Sequence, residues 1–154
     1  MKLMTIGKLS KATGVKVTTI RYYESIGLLS EPERSESGQR HYDSKAVERL
    51  GFIRHARDLG FPVETIRELI SLQVNVDRDC AVVNEMARRQ LGEVRRRMSK
   101  LKALEVELVR MIEACEGGEI GDCSVLAALR DHDRCLHNQH GGADILANLP
   151  SKRP

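Results

Sequence analysis

At 154 residues and 17.3 kDa the chain has room for one ordinary domain and some additional helix, which excludes a multidomain machine. Hydrophobic residues make up 41% and charged residues 31%. No apolar run approaches the roughly 18 residues of a membrane span, and the first residues lack the apolar stretch of a secretory signal, so a soluble, cytoplasmic protein with no membrane association is expected. The net charge of +3 lies in the first half: residues 1–75 hold 12 Lys+Arg against 9 Asp+Glu, and residues 76–154 hold 13 against 13.

All five aromatic residues, Tyr22, Tyr23, Tyr42, Phe52 and Phe61, fall in that basic half. A compact head followed by an aliphatic helical tail is expected. In the head, Thr5 is placed to cap a short helix through Leu9 and Ala12, which Gly14 ends. A second helix from about Val17 to Ser25 turns Ile20 and Tyr23 inward and stops at Gly27. Two short helices joined by a tight Gly-containing turn make a helix-turn-helix. The polar stretch Ser30–Gly38 followed by Gln39-Arg40-His41-Tyr42 reads as a β-hairpin, or wing.

Ser44 is placed to cap a third helix with Val47, Leu50, Phe52, Ile53 and Ala56 on its buried side and Gly60 at its end. Pro62 suits the first turn of a fourth, with Val63, Ile66, Leu69 and Ile70 facing the core. Apolar positions then recur at Val83, Ala87, Leu91, Val94, Met98, Leu101, Leu108, Ile112 and Cys115. Spacings of three, four and seven define a heptad seam on one long helix, interrupted at Glu105. Gly117, Gly118 and Gly121 mark its end, and Ser124 is placed to cap a last short helix through Ala128. The segments expected are a head at 1–75, a dimerisation helix at 76–116, a loop and short helix at 117–131, and a polar, Gly-rich tail without order at 132–154.

Cys80, Cys115, Cys123 and Cys135 are the four cysteines, and in a reducing compartment such thiols bind metal or do redox chemistry more often than they pair. Cys80 and Cys115 lie 35 residues apart, about 52 Å along a helix at 1.5 Å per residue, so they cannot share a ligand within one chain. Two chains running antiparallel bring Cys80 of one beside Cys115 of the other. Facing residues then sum to 195, which pairs Val83 with Ile112, Met86 with Val109, Ala87 with Leu108, Leu91 with Leu104 and Val94 with Leu101, all apolar. Glu85 meets Arg110, Arg88 meets Glu107 and Glu93 meets Lys102, whereas Arg95 opposite Lys100 has the wrong sign. The two halves share one periodicity, so any amphipathic helix supplies some of these matches. A parallel coil would pair each cysteine with its own twin.

Thr19-Ile20-Arg21-Tyr22-Tyr23-Glu24-Ser25-Ile26-Gly27-Leu28-Leu29, the set Arg34 with Gly38-Gln39-Arg40-His41-Tyr42, and the cysteines at 80, 115 and 123 together resemble the mercury-resistance regulator (MerR) family of bacterial transcription factors. The resemblance covers roughly residues 4 to 130. It implies an all-α fold with a small β wing: a winged helix-turn-helix head followed by a long antiparallel coiled-coil dimerisation helix. One departure is Lys16, where many members have a capping Ser or Thr.

In a helix-turn-helix the second helix enters the major groove, which makes Lys16, Thr18, Thr19, Arg21 and Tyr22 candidates for DNA contact, with Arg34, Arg40, His41 and Tyr42 of the wing beside the backbone. Tyr23 and Glu24 are assigned to the head's own packing. A homodimer carries two heads and needs a two-fold symmetric operator. Cys115 and Cys123, with Cys80 from the partner chain, supply three thiolates at each end of the dimer, and soft thiolates select soft metals. The expected ion is divalent: cadmium, lead, zinc or mercury. The seven residues between Cys115 and Cys123 also resemble the loop of copper(I) and silver(I) sensors, so a copper(I)-responsive regulator stays open. His132, Cys135, His137 and His140 form a candidate secondary metal cluster.

The resemblance implies a regulator that activates a metal-resistance or efflux promoter by distorting the DNA for RNA polymerase when metal binds. A coiled-coil metal buffer without a DNA role is the rival from another class. An iron-sulfur regulator needs four closely grouped cysteines, which the spacing does not offer. No nucleophile-and-base set or phosphate loop supports an enzyme.

Overall fold

The structure, a computed structural model, describes residues 3–75, 77–115 and 117–131. The candidate cluster His132, Cys135, His137 and His140 and the tail expected at 132–154 lie outside the described residues. The chain divides into two units, residues 1–80 and residues 81–154.

The first unit contains α1 (Ile6–Thr13), α2 (Val17–Ser25), β1 (Glu33–Arg34), β2 (Arg40–His41), α3 (Ser44–Asp58) and α4 (Val63–Gln73). The helix-turn-helix is α1–α2, and α2 has the bounds its sequence predicts. Leu9 and Ile20 are fully enclosed and Tyr23 nearly so. Together with Leu28, Leu29, Leu50, Ile53, Ala56 and Ile66 they form one core, with Phe52, Phe61, Val63 and Ile70 packed around it. Burial of such side chains, at about 25 cal/mol per Å² of apolar surface, is what holds four short helices together. Both helix-turn-helix helices end at a glycine in the left-handed region, Gly14 at φ 69° and Gly27 at φ 68°.

Several capping expectations shift by one residue. Thr5 holds the N-cap of α1 without a side-chain cap bond. The cap of α3 is Asp43 rather than Ser44: its carboxylate accepts from the Ala46 N–H at 2.9 Å, and an extended backbone at Asp43 leaves Ser44 as the first helical residue. Pro62 sits at the N-cap position of α4, one place before the helix.

The wing is a two-stranded antiparallel hairpin with Glu33 opposite His41 and Arg34 opposite Arg40. Its second strand stops before Tyr42, which instead exchanges two 2.9 Å backbone hydrogen bonds with Met4. The segment before α1 thereby closes over the base of the wing.

The second unit is built on α5 (Ala81–Glu113), a 3-10 turn (Ile120–Asp122) and α6 (Ser124–Arg130), which packs on α5. Cys80 and Cys115 flank α5 rather than lying on it. The predicted seam is uncovered in a single chain: Leu91, Met98, Leu101, Leu108 and Ile112 are 47 to 67% exposed. Met86, Glu107 and Met111 are buried. Charges expected to meet a partner are taken up within the helix: Arg110 bonds to Glu107, Arg96 and Arg97 to Glu93, and Lys102 to Glu105. These are the three- and four-residue spacings that helix geometry favours. No helix among the described residues is long and apolar enough to cross a membrane.

Candidate DNA-binding surface and thiol pair

The outward face of α2 is set by what the inward face must bury. Ile20 and Tyr23 point to the core, and a rotation of about 100° per residue turns Arg21 and Tyr22 away from it. Lys16, Thr18 and Arg21 are exposed, Thr19 is half-buried, and Tyr22 is 52% exposed. The rings of Tyr22 and Tyr23 lie 5.8 Å apart at 48°, so the core tyrosine props the outer one. Lys16 takes the N-cap of α2 and gives it no side-chain cap.

Between α2 and the wing is a recess of about 190 Å³ where Arg21, Arg34 and Arg40 converge, with Glu24 and Glu31 among its walls. Three guanidinium groups around one opening suit the oxygens of a phosphate. Strand alternation explains which wing residues arrive there, because neighbours on a strand point to opposite faces. Arg34 and Arg40 are paired in register and share the α2 side, whereas Glu33 and His41 line a separate recess with Leu3, Lys45 and Arg49. His41, expected beside the DNA backbone, thus faces away from the recess of the three arginines. Its Nδ1 is enclosed and has no hydrogen-bond partner.

Tyr42 is a second correction. It is 2% exposed, and its phenol donates to the Glu24 carboxylate. A side chain enclosed this way belongs to the core and offers nothing to DNA. Burial, then the bond to Glu24, push its phenol well above the ordinary tyrosine range. Glu24 also faces Arg40 Nε at 3.6 Å, so its packing role, expected from the sequence, extends to holding a wing arginine in place.

In the second unit α5 ends at Glu113, Cys115 follows, and Gly117 and Gly118 take φ of 78° and 115°. The 3-10 turn then delivers Cys123 to the N-cap position of α6, the place the sequence assigned to Ser124. Cys123 is half-buried and Cys115 exposed. The Cys123 thiol is held below its ordinary pKa chiefly by the Leu126 N–H, with burial opposing and the Val125 N–H, the Cys115 side chain and Arg130 assisting. Unpaired N–H groups at a helix start favour an anion. The structure thus brings Cys115 and Cys123 together. Cys80, exposed, belongs to the other unit. No group of three His, Cys, Asp or Glu side chains able to hold a metal ion assembles among the described residues.

Two family models match: the MerR HTH family regulatory protein over residues 4–73 and "MerR, DNA binding" over residues 47–111. The HTH-type transcriptional regulator HmrR of Rhizobium leguminosarum bv. viciae is 40% identical over 128 residues, 83% of this chain and 98% of its own length. This chain belongs to the MerR family. As a MerR-family protein it is a DNA-binding transcriptional regulator and not an enzyme. Heavy metal-dependent transcription regulator 2 of Rhizobium meliloti strain 1021 is 38% identical, with 80% of this chain and 84% of that protein covered. Among solved MerR-family structures, the transcription regulator PbrR691 of Ralstonia metallidurans CH34 in complex with lead(II) superposes with a TM-score of 0.70 at 38% identity, covering 82% of this chain and 98% of that one.

Proposed function

We propose that this MerR-family regulator is switched by a soft metal ion held by Cys115 and Cys123 of one subunit and Cys80 of the other in an antiparallel homodimer. The observation that carries the reading is the approach of Cys115 and Cys123, with the Cys123 thiolate favoured by the start of α6. A low-pKa thiol is a ready ligand for a soft cation, because the metal must displace its proton. The uncovered seam on α5 supplies the second element, since exposed Leu and Ile side chains at heptad spacing need a partner helix. Relatives named as heavy metal-dependent and as a lead(II) complex agree with the chemistry.

The head contacts promoter DNA through Lys16, Thr18, Thr19, Arg21 and Tyr22 of α2 and Arg34 and Arg40 of the wing. Mostly phosphate contacts are expected from this set, with Thr18 short enough to reach a base edge. A bound metal joins two polypeptides at each end of the coil. Linkage then makes metal affinity and DNA geometry mutually dependent, and the metal-bound dimer distorts a metal-resistance or efflux promoter into a form that RNA polymerase uses.

Three thiolates without imidazole suit cadmium, lead or mercury at least as well as zinc. A copper(I) or silver(I) response is the second reading, and the specific support for it is that two thiols come together within one chain without Cys80. Titration of the purified protein with zinc, cadmium, lead, mercury and copper(I), read by thiolate charge-transfer absorption, separates the two. Cys80→Ser is expected to abolish the divalent response; retention of that response assigns the site to Cys115 and Cys123 alone. Cys115→Ser is expected to keep operator binding while losing metal-induced transcription.

A further inference from the structure

The two glycines that end α1 and α2 each lie beneath an arginine from later in the head. Arg54 of α3 donates to the carbonyl of Thr13, and Arg67 of α4 donates to the carbonyl of Ile26 at 2.6 Å. Both acceptors are carbonyls at a helix C-terminus, where the last turn lacks intrahelical partners and the helix dipole is negative. The left-handed turn at Gly14 makes room for its arginine, since a Cβ there would sit 2.5 Å from Arg54 Nη1. At Gly27 the corresponding distance to Arg67 Nη1 is 3.8 Å. The two carbonyls bracket α2, one just before it and one just after.

The bracket matters because of how α2 is otherwise held. Helix α1 packs on α2 and on α3, and α4 packs on α3. The inward side of α2 rests on two large side chains, Ile20 and Tyr23. Leu28 and Leu29 anchor the chain just beyond α2, and Tyr42 bonds to Glu24 on its wing side; Arg67 adds a bond to the main chain at the C-terminal end of the helix itself. The Arg67 bond fixes the end of α2 farthest from the turn, and a change of tilt turns the whole outward face, Thr18 with Arg21 and Tyr22, relative to the groove. We propose that Arg67 is a positioning residue for sequence-specific DNA binding: it acts through the Ile26 carbonyl to set the tilt of α2, with Arg54 and Thr13 as the pivot, and does not itself contact phosphate. The proposal rests on the assignment of α2 as the helix that meets DNA.

Base-edge contacts demand a defined tilt, whereas phosphate contacts tolerate some rotation. The test measures the full-length protein on a duplex from its own upstream region and on an unrelated duplex of equal length, across a range of salt. Arg67→Met keeps the apolar stem and removes the donors. It is expected to weaken operator binding by about tenfold, the equivalent of one charge-assisted hydrogen bond, with non-specific binding and the salt slope unchanged. Arg67→Lys, which keeps one donor, is expected to lose about threefold. It carries the test alone if the Met variant does not fold. A slope shallower by about one ion, a parallel fall on both duplexes, or unchanged operator affinity in the variant that folds overturns the proposal. Arg21→Met, run in parallel, is expected to reduce the slope by about one. An unchanged slope there fails the assignment of Arg21 on α2 to phosphate and leaves the Arg67 result to be judged on its own ratio.

Discussion

Tyr42 donates its phenolic hydrogen to Glu24, so the residue that follows the wing is bonded to the helix that meets DNA. The same carboxylate faces Arg40. One half-buried acid therefore sets the position of a wing cation relative to Arg21, and the hairpin and α2 present their charges as a single surface.

Tyr42→Phe removes the donor and leaves the Glu24 carboxylate partly desolvated. A loss of about 1 to 2 kcal/mol is expected, measured by urea denaturation. The variant also changes the alkaline limb of the stability profile. The folded state raises the phenol's pKa, so this contribution is complete below the unfolded value near 10 and falls as pH rises above it, because the unfolded chain releases the proton first. The wild type should lose stability above pH 10 more steeply than Tyr42→Phe. Tyr23, whose phenol is also raised by burial, supplies the slope that remains.

Gly14→Ala places a side chain at φ 69° and against the Arg54 guanidinium. The arginine can swing away, but the left-handed backbone stays costly for Ala and the bond to Thr13 is lost. Thermal unfolding should show a destabilisation of about 1 to 2 kcal/mol. Gly38→Ala, with open space around its Cβ position, incurs only the backbone part.

Leu101 faces Val94 in the antiparallel pairing, and both are exposed in the single chain. Leu101→Glu would put four carboxylate oxygens into the centre of the coil, two from each subunit. Sedimentation velocity should show dimer dissociation increased by about a hundredfold or more, the equivalent of about 3 kcal/mol. Val106→Glu, off the seam though also exposed, should leave the dimer intact.

Alkylation of Cys123 by iodoacetamide should proceed with a lower pH midpoint in the folded protein than in the same chain unfolded in urea. The sign follows from its depressed pKa, which leaves more reactive thiolate at a given pH. Mass spectrometry of metal-free protein quenched across pH 6 to 9 measures it. Arg130→Gln should raise the midpoint slightly, since Arg130 is a minor contributor.

The elements that local chemistry specifies were legible in the sequence. Gly27 and the inward pair Ile20 and Tyr23 define α2 to the residue, and the spacing from Leu91 to Ile112 shows both the long helix and its unpartnered side. Where two capping residues stand side by side, composition does not choose between them: Asp43 displaced Ser44, and Cys123 displaced Ser124, which is the detail that places a thiol at a helix start. The interior position of Tyr42 depends on pairing with Met4 across the fold, and no local pattern carries that. Composition does not separate His41 from Arg40, because the pairing register decides which face each wing residue takes. Arg54 and Arg67 read as ordinary surface cations until tertiary contact shows the carbonyls they hold.

A mixed dimer offers the most direct measurement of the antiparallel three-thiolate site. One subunit carries Cys80→Ser and the other carries both Cys115→Ser and Cys123→Ser, so neither homodimer retains a complete site. In the antiparallel heterodimer one end combines Cys80 of the second subunit with Cys115 and Cys123 of the first. Cadmium titration should restore three-thiolate charge-transfer absorption at a stoichiometry of one ion per heterodimer. A heterodimer that recovers no such absorption would contradict the shared site.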